Sequence, residues 1–167
     1  MPGVTEYRWV RVDDRLLHGQ VALGWGRALD PEAFLIVDDG VASDPFVASL
    51  FEVALPEGTR LVVLDSERFL AGGDSGLSPE RTILLIRSLS QLRSLCERGF
   101  RPREVNLGGI HHRAGARRFL DYLFLTDEEC EALRWLLAQG VVLFAQDLPS
   151  SPRRSAEGLL AKGGAAA

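Results

Sequence analysis

Short apolar runs alternate with amphipathic stretches along this chain. Several of the runs are apolar almost without a break, which is typical of strands that are covered on both faces in a parallel sheet. The predicted strands are residues 7–12, 33–37, 60–64, 82–86, 104–107 and 141–145, with residues 120–125 as a further candidate.

Helical patterns lie between these runs and carry their own start and stop signals. The start signals are Ser43 or Asp44 before Pro45, Ser88, and Thr126 with Glu129 as a capping box; the stop signals are Gly99 and Gly140. Strands that alternate with helices predict an α/β fold, with an open, mainly parallel, doubly wound sheet and helices on both faces.

The length of 167 residues fits one domain. We assign residues 1–149 to a single domain. Residues 150–167 are rich in Ser, Pro, Gly and Ala and predict a loosely ordered tail, in which Leu159 and Leu160 can still pack.

The charge and the apolar runs limit where the chain can act. The formal net charge of −4 disfavours nonspecific binding to nucleic acid. No run is long enough to cross a bilayer, and the N-terminus lacks the apolar core of a signal peptide. We therefore expect a cytoplasmic protein that reaches a membrane only through a partner.

Polar residues follow nearly every predicted strand, and parallel strands bring their carboxyl ends to one edge of the sheet, where ligands bind. Helix capping is an alternative role for Asp38, Asp39 and Asp65, and a tight turn is an alternative for Gly108–Gly109. Grouped by strand, these residues are Asp13, Asp14, Arg15 and His18; Asp38 and Asp39; Asp65; Arg87 and Ser88; and Gly108, Gly109, His111, His112 and Arg113.

His18 is the strongest candidate, because it lies between a predicted strand and a predicted helix. The first amides of that helix, at Gly19, Gln20 and Val21, favour an anion. Arg15 can add a bidentate fork. Asp13 or Asp14 can hold Arg15, or can fix the imidazole tautomer by accepting a hydrogen bond. This pattern describes a nucleophilic imidazole beside a phosphate cradle, and its alternative is a plain hydrogen-bonded histidine.

Other chemistries fit the sequence less well. A metal site built from the three histidines is disfavoured, since the chain has neither a His-x-x-x-His pair nor clustered cysteines. The chain also lacks the Gly-x-Ser-x-Gly elbow of serine hydrolases and the glycine-rich loops that bind nucleotides.

The motif RVDDRLLHGQV at residues 11–21, followed by Trp25, resembles the phosphorylation loop of a known bacterial family. The family is the IIB component of the mannose/fructose/sorbose branch of the phosphoenolpyruvate-dependent sugar phosphotransferase system. Three further segments resemble the family in the same order: LIVDDGVASDPF at 35–46, VNLGGIHHRAG at 105–115 and FLTDEECEALRWLLAQGVVLFAQDLP at 124–149.

The resemblance implies that His18 accepts a phosphoryl group on its δ nitrogen from a IIA phosphohistidine, assisted by Arg15. The group then passes to the 6-hydroxyl of a hexose held by a IIC/IID membrane permease. The family needs no metal or organic cofactor for this step. The residues that we expect to bind the phosphoryl group or to face a partner are Gly19, Gln20, Asp39, Gly108, Gly109, His112 and Arg113.

Two expectations follow about the site and its use. A raised pKa of His18 would hinder phosphoryl uptake, so we expect Asp13 or Asp14 to pair mainly with Arg15 or with backbone amides. A regulatory phosphoprotein that moves no sugar is the alternative function. The sequence leaves the sugar, and the choice between monomer and homo-oligomer, open.

Overall fold

A computed structural model of the chain describes residues 6–73 and 76–165. In these residues the main sheet has seven strands in the order β3-β2-β4-β1-β5-β8-β9, and β6 pairs with β7 separately. The strands are β1 Trp9–Val12, β2 Ala33–Val37, β3 Arg60–Leu64, β4 Thr82–Ile86, β5 Glu104–Leu107, β6 Arg117–Leu120, β7 Leu123–Leu125, β8 Val142–Ala145 and β9 Arg154–Ser155.

Helices cover both faces of this sheet. In the main sheet, the neighbouring strands β3, β2, β4, β1, β5 and β8 all run parallel to one another. The last strand of this sheet, β9, runs antiparallel to β8. The predicted doubly wound α/β fold is thus confirmed. The helices are α1 Gly26–Leu29, α2 Asp39–Ser43, α3 Pro45–Glu52, α4 Ser66–Leu70, α5 Leu89–Glu97, α6 Asp127–Ala138 and α7 Ala156–Lys162, with a π-helical stretch Gln20–Trp25 before α1 and a 3₁₀ turn Pro79–Arg81.

The core has one apolar cluster on each face of the sheet. One cluster joins β-strand residues such as Val12 and Leu84 to α5 and α6. The other joins Phe34 and Ile36 to the loop and helix that follow β1, through Leu16, Val21 and Trp25. The second cluster therefore anchors the segment that contains His18.

The predicted caps are confirmed where the helices begin. The side chain of Asp44 accepts hydrogen bonds at the start of α3, and that of Ser88 does so at the start of α5. Thr126 and Glu129 form the capping box of α6. Asp38 and Asp65 also cap helices, α2 and α4, as the alternative interpretation held.

The candidate strand at residues 120–125 is a two-stranded hairpin. β6 and β7 pair antiparallel on either side of a turn at Asp121 and Tyr122, with an irregular register between Arg118 and Leu120. The amide of Ile110 donates to the carbonyl of Tyr122. The hairpin is therefore attached to the loop after β5.

The expectation of a loosely ordered tail is wrong for residues 154–162, which form β9 and α7. β9 pairs with β8, and Ala156 is fully buried. Ser155 caps α7 by accepting a hydrogen bond from the amide of Gly158. Leu159 and Leu160 pack partly against the core, as their apolar character allowed. Pairing with a sheet edge outweighed the Ser- and Gly-rich composition.

No helix within residues 6–73 and 76–165 is long and apolar enough to cross a membrane.

Candidate functional site

The candidate residues gather where β1 and β5 lie side by side at the carboxyl edge of the sheet. The chain leaves β1 toward β2 on one side, whereas it leaves β5 toward β8 on the other. Diverging connections of this kind open a crevice in which ligands bind. The amide of Asp14 donates to the carbonyl of Gly109 at 2.8 Å, so the loops after the two strands are joined.

The loop from Asp13 to His18 is a tight turn with a strained residue. The amide of Leu16 donates to the carbonyl of Asp13, and Leu16 has a φ of 56°, a left-handed conformation that is costly for a leucine. Leu16 and Leu17 are both buried in the core. Their burial supplies free energy that holds the turn and fixes His18 at its end.

The imidazole of His18 lies against the carboxylate of Asp13. The distance from Nε2 of His18 to Oδ2 of Asp13 is 3.1 Å. The Asp13 side chain is fully buried, whereas that of His18 is 15% exposed. Of the two roles that the sequence left open for the aspartates, Asp13 therefore takes the second, contact with the imidazole.

The positive partner of Asp13 is Arg11, not Arg15. The guanidinium of Arg11 donates to Oδ2 of Asp13 from Nη2 at 3.0 Å and from Nε at 3.3 Å. Of the two kinds of partner expected for Asp13 or Asp14, the guanidinium of Arg15 is not the one that Asp13 uses, because Arg15 donates to Gln20 instead. The expectation of backbone partners holds, since Asp13 also accepts from the amides of Arg15 and Gly109.

Burial and nearby charge shift the pKa of the Asp13 carboxyl in opposite directions. Burial would raise the pKa of its carboxyl, but the hydrogen bond with His18 and the positive charge of Arg11 outweigh burial, so the pKa lies below its ordinary value. Asp13 is therefore an anion at neutral pH and can only accept hydrogen bonds.

Arg15 and the start of the helix form the outer side of the site. Nη2 of Arg15 donates to Oε1 of Gln20 at 3.3 Å, and the Arg15 side chain is exposed. The amide of Ala22 donates to the carbonyl of His18. Ala22 is thus the first helical donor, and the amides of Gly19, Gln20 and Val21 precede it at the start of the helix, as the sequence predicts.

Asp14 holds a second histidine at the same edge. His111 approaches Oδ1 of Asp14 with Nδ1 and donates its amide to Oδ2, both at 2.7 Å. A Cβ on Gly109 would lie 3.0 Å from Cε1 of His111 and 3.6 Å from Nη2 of Arg15. The absence of a side chain on Gly109 therefore allows His111 and Arg15 to lie close to the backbone at this position.

The remaining candidates lie farther along the edge. Asp39 accepts a hydrogen bond from the amide of Ser66 at 2.7 Å. The ring of His112 stands edge-on to Phe124, and the guanidinium of Arg113 pairs with Glu129 at the start of α6. These contacts attach each of the three side chains to a neighbouring element.

Arg11 was not among the residues singled out from the sequence, whereas Arg87 was, as a polar residue after the fourth predicted strand. Arg11 stands inside a predicted strand, where an arginine among apolar residues was the available signal. Arg87 follows β4, bonds to Oδ2 of Asp38 at 2.6 Å and donates to the carbonyl of Asp14 at 3.2 Å. Arg87 therefore ties the loop of His18 to the neighbouring strands.

The histidines are engaged by separate carboxylates. His18 contacts Asp13, whereas His111 contacts Asp14. In the part of the chain that the structure describes, no group of three or more His, Cys, Asp or Glu residues is placed to hold a metal ion.

Comparison with known proteins gives one consistent family. Residues 7–166 match the family model for the PTS system sorbose subfamily IIB component. An N-acetylgalactosamine-specific phosphotransferase enzyme IIB component 1 from Escherichia coli (strain K12) is 29% identical over 147 residues, which are 86% of this chain and 91% of that protein.

A longer relative and a solved structure agree with this match. The PTS system mannose-specific EIIAB component of Escherichia coli (strain K12) is 28% identical over 91% of this chain, and the chain spans about half, 47%, of that protein's length. A crystal structure of the N-acetylgalactosamine-specific IIB component 1 from Escherichia coli superposes with a TM-score of 0.79 at 27% identity, covering 88% of this chain and 97% of that one.

Proposed function

Because the chain belongs to the sorbose subfamily of IIB components of the phosphoenolpyruvate-dependent sugar phosphotransferase system, we propose that Nδ1 of His18 carries the phosphoryl group. The donor in this proposal is a phosphohistidine of a IIA protein. The acceptor is a hexose bound by a IIC/IID permease. The name of the mannose-specific EIIAB relative supports the link to a IIA partner.

The contact between Nε2 of His18 and Oδ2 of Asp13, at 3.1 Å, is the observation that carries the proposal. An anionic carboxylate only accepts hydrogen bonds, so Nε2 must hold the proton of the neutral ring. Nδ1 then has the free lone pair that attacks phosphorus. The carboxylate thus selects the nitrogen that the family resemblance implies.

The transfer can be written with its protons and bonds balanced. The donor imidazole, protonated on its second nitrogen, gives up its phosphoryl group and leaves as a neutral ring. The bond from phosphorus to the donor nitrogen breaks as the bond to Nδ1 of His18 forms. His18 keeps its proton on Nε2, and the positive charge that the ring gains is stabilised by Asp13.

Arg15 and the helix start have a separate task in this proposal. Charge spreads over the equatorial oxygens of the phosphoryl group in the transition state. The exposed guanidinium of Arg15, held by Gln20 at 3.3 Å, can reach such a group and donate two hydrogen bonds. The amides of Gly19 and Gln20 add donors and the positive end of the helix dipole.

The test is the intact mass of the protein after incubation with phosphoenolpyruvate, the general phosphotransfer proteins and a mannose-type IIA domain. The wild type should gain one acid-labile phosphoryl group, and His18→Ala should gain none. Arg93→Ala is the control, because it removes a side chain on α5 that pairs with Glu97 and leaves His18 in place, and it should still gain the group.

The outcomes separate the candidate functions. No mass change in the wild type, with a IIA donor shown to be charged, would overturn the proposal. Transfer from the phosphorylated chain to a hexose in permease-containing membranes would support sugar transport. A stable phosphoryl group that no permease discharges would favour the regulatory role instead.

A further inference from the structure

We propose that Arg11 is a positioning residue for His18. Its buried guanidinium neutralises Asp13, so that Asp13 fixes the proton on Nε2 of His18 without drawing a second proton to Nδ1. The inference rests on the proposed role of His18 as phosphoryl acceptor, and it assigns the control of that residue's reactivity to a side chain on the adjacent strand.

Several hydrogen bonds fix the guanidinium of Arg11. Besides Asp13, it donates from Nη1 to Oδ1 of Asn106 and to the carbonyl of Gln146 at 3.0 Å, and from Nη2 to the carbonyl of Asp147 at 3.2 Å. Asn106 lies opposite Arg11 in the register of β1 and β5. Arg11 is therefore bonded to the end of its own strand β1, to β5 and to the chain that follows β8.

Arg11 and Asp13 are both buried. Arg11 is 4% exposed and Asp13 is fully buried. The Trp25 ring lies 5.4 Å from the guanidinium carbon of Arg11, and Gly108 leaves the space that the guanidinium fills. An unpaired charge at such a position is strongly unfavourable. Arg11 and Asp13 are therefore each stabilised in the charged form by the other.

An unpaired Asp13 would change the protonation of His18. A buried carboxylate without Arg11 gains stability either by drawing a proton onto His18 or by taking one itself. The first result is an imidazolium with no lone pair. The second places a hydroxyl against Nε2 and moves the ring proton to Nδ1. Each result removes the nucleophile.

The other charged groups near His18 are already paired elsewhere. Asp14 is engaged by His111, and Arg15 is held by Gln20. Arg87 bonds to Asp38, and the carboxylate of Asp147 interacts with Arg11 only through space. Asp13 alone among the described carboxylates bonds to the His18 ring. Its partner Arg11 is therefore the side chain that balances the negative charge beside His18.

The experiment is an NMR titration of the His18 ring with ¹⁵N-labelled imidazole, which needs no phosphoryl donor. Arg11→Gln should raise the pKa of His18 by about one unit, or move its neutral proton to Nδ1. Adding Asp13→Asn to this variant should return the pKa toward the wild-type value. Arg93→Gln, on the surface of α5, is the matched control and should change neither property.

Phosphorylation rates complete the test. Arg11→Gln should be phosphorylated several-fold, and up to about tenfold, more slowly than the wild type at about pH 6.5, because a pKa rise of about one unit lowers the fraction of neutral imidazole by no more than that. A folded Arg11→Gln protein with the wild-type pKa and tautomer at His18 would overturn the proposal. If the wild type itself is not phosphorylated, the proposed function fails, whereas the titration still decides the role of Arg11.

Arg11→Lys keeps the inference testable if Arg11→Gln does not fold. Lysine retains the positive charge but loses the planar fork. The proposal expects a pKa of His18 close to that of the wild type in this variant. A pKa raised by about one unit despite the retained charge would count against charge compensation by Arg11.

Discussion

Gly108 and Arg11 are packed so closely that any side chain at position 108 would overlap the guanidinium of Arg11. The amide of Gly108 meanwhile donates to the carbonyl of Val12 at 2.8 Å, so the backbone cannot easily withdraw. The first glycine of the Gly-Gly pair thus leaves room for the guanidinium that neutralises Asp13.

Gly108→Ala should therefore lower the free energy of unfolding by about 1–3 kcal/mol, the usual cost of overpacking. Urea denaturation measures this change. Gly19→Ala is the control, because a Cβ there would meet nothing within 4 Å and Gly19 is right-handed helical. That variant should be as stable as the wild type, or more stable by up to about 1 kcal/mol. Equal losses in both variants would contradict the packing argument.

Arg15→Ala should slow phosphoryl uptake without unfolding the protein. The side chain is exposed and bonds to Gln20, so its loss costs little stability. Removing a donor to the transferring group should reduce the rate by about a hundredfold. Quench-flow mass analysis with a charged IIA domain measures the rate. Arg93→Ala, which removes an exposed arginine paired with Glu97, should keep the wild-type rate, and an equally fast Arg15→Ala would refute the assigned role.

Much of the fold could be predicted from the sequence because the signals are local. The buried strands appear as apolar runs, and caps such as Asp44, Ser88 and Thr126 mark helix starts. The short strand β9 could not be predicted, since its two residues are stabilised by pairing with β8 rather than by their own composition. For the same reason the composition of residues 154–162 does not predict the strand and the helix that they form.

The site could be predicted only in part, because some of its contacts join residues that are distant in the chain. His18, Asp13 and Arg15 lie within six residues of each other, so a linear motif reveals them. The pairing of Arg11 with Asp13 depends on Asn106 and on the carbonyls of residues 146 and 147. Those partners are about 95 to 136 positions away in the chain, and no local pattern reports them.

Asp13 should make the protein less stable in acid. The pKa of Asp13 is lowered in the folded state from an ordinary value of 3.8. The stabilisation is therefore present above the unfolded-state pKa and is lost as the pH falls below about 4 through the folded-state pKa. Urea denaturation at pH 7 and pH 3 should show a smaller acid loss in Asp13→Asn than in the wild type. Asp30→Asn, which removes an exposed carboxylate, should show the wild-type loss; an unchanged loss in Asp13→Asn would contradict the prediction.

Cys96 and Cys130 should be almost unreactive in the folded protein. Burial raises the pKa of the Cys96 thiol from 9.0 to about 11, and it also raises that of Cys130. At pH 8 the shift of Cys96 reduces the thiolate fraction by about a hundredfold, and burial blocks access as well. Iodoacetamide labelling followed by mass spectrometry should detect both thiols only after unfolding in urea. Rapid labelling of the native protein would show that these helices open.

Ala156→Asp should test whether the residues beyond 149 belong to the folded domain. Ala156 is fully buried at the start of α7, where its methyl group packs in the core cluster. An aspartate there would bury a charge that has no paired cation, which should cost about 2–4 kcal/mol. Ala161→Asp is the matched control, because residue 161 is exposed on the same helix. Urea denaturation should place the midpoint of Ala156→Asp well below that of Ala161→Asp. Identical midpoints would mean that α7 adds nothing to the stability of the domain.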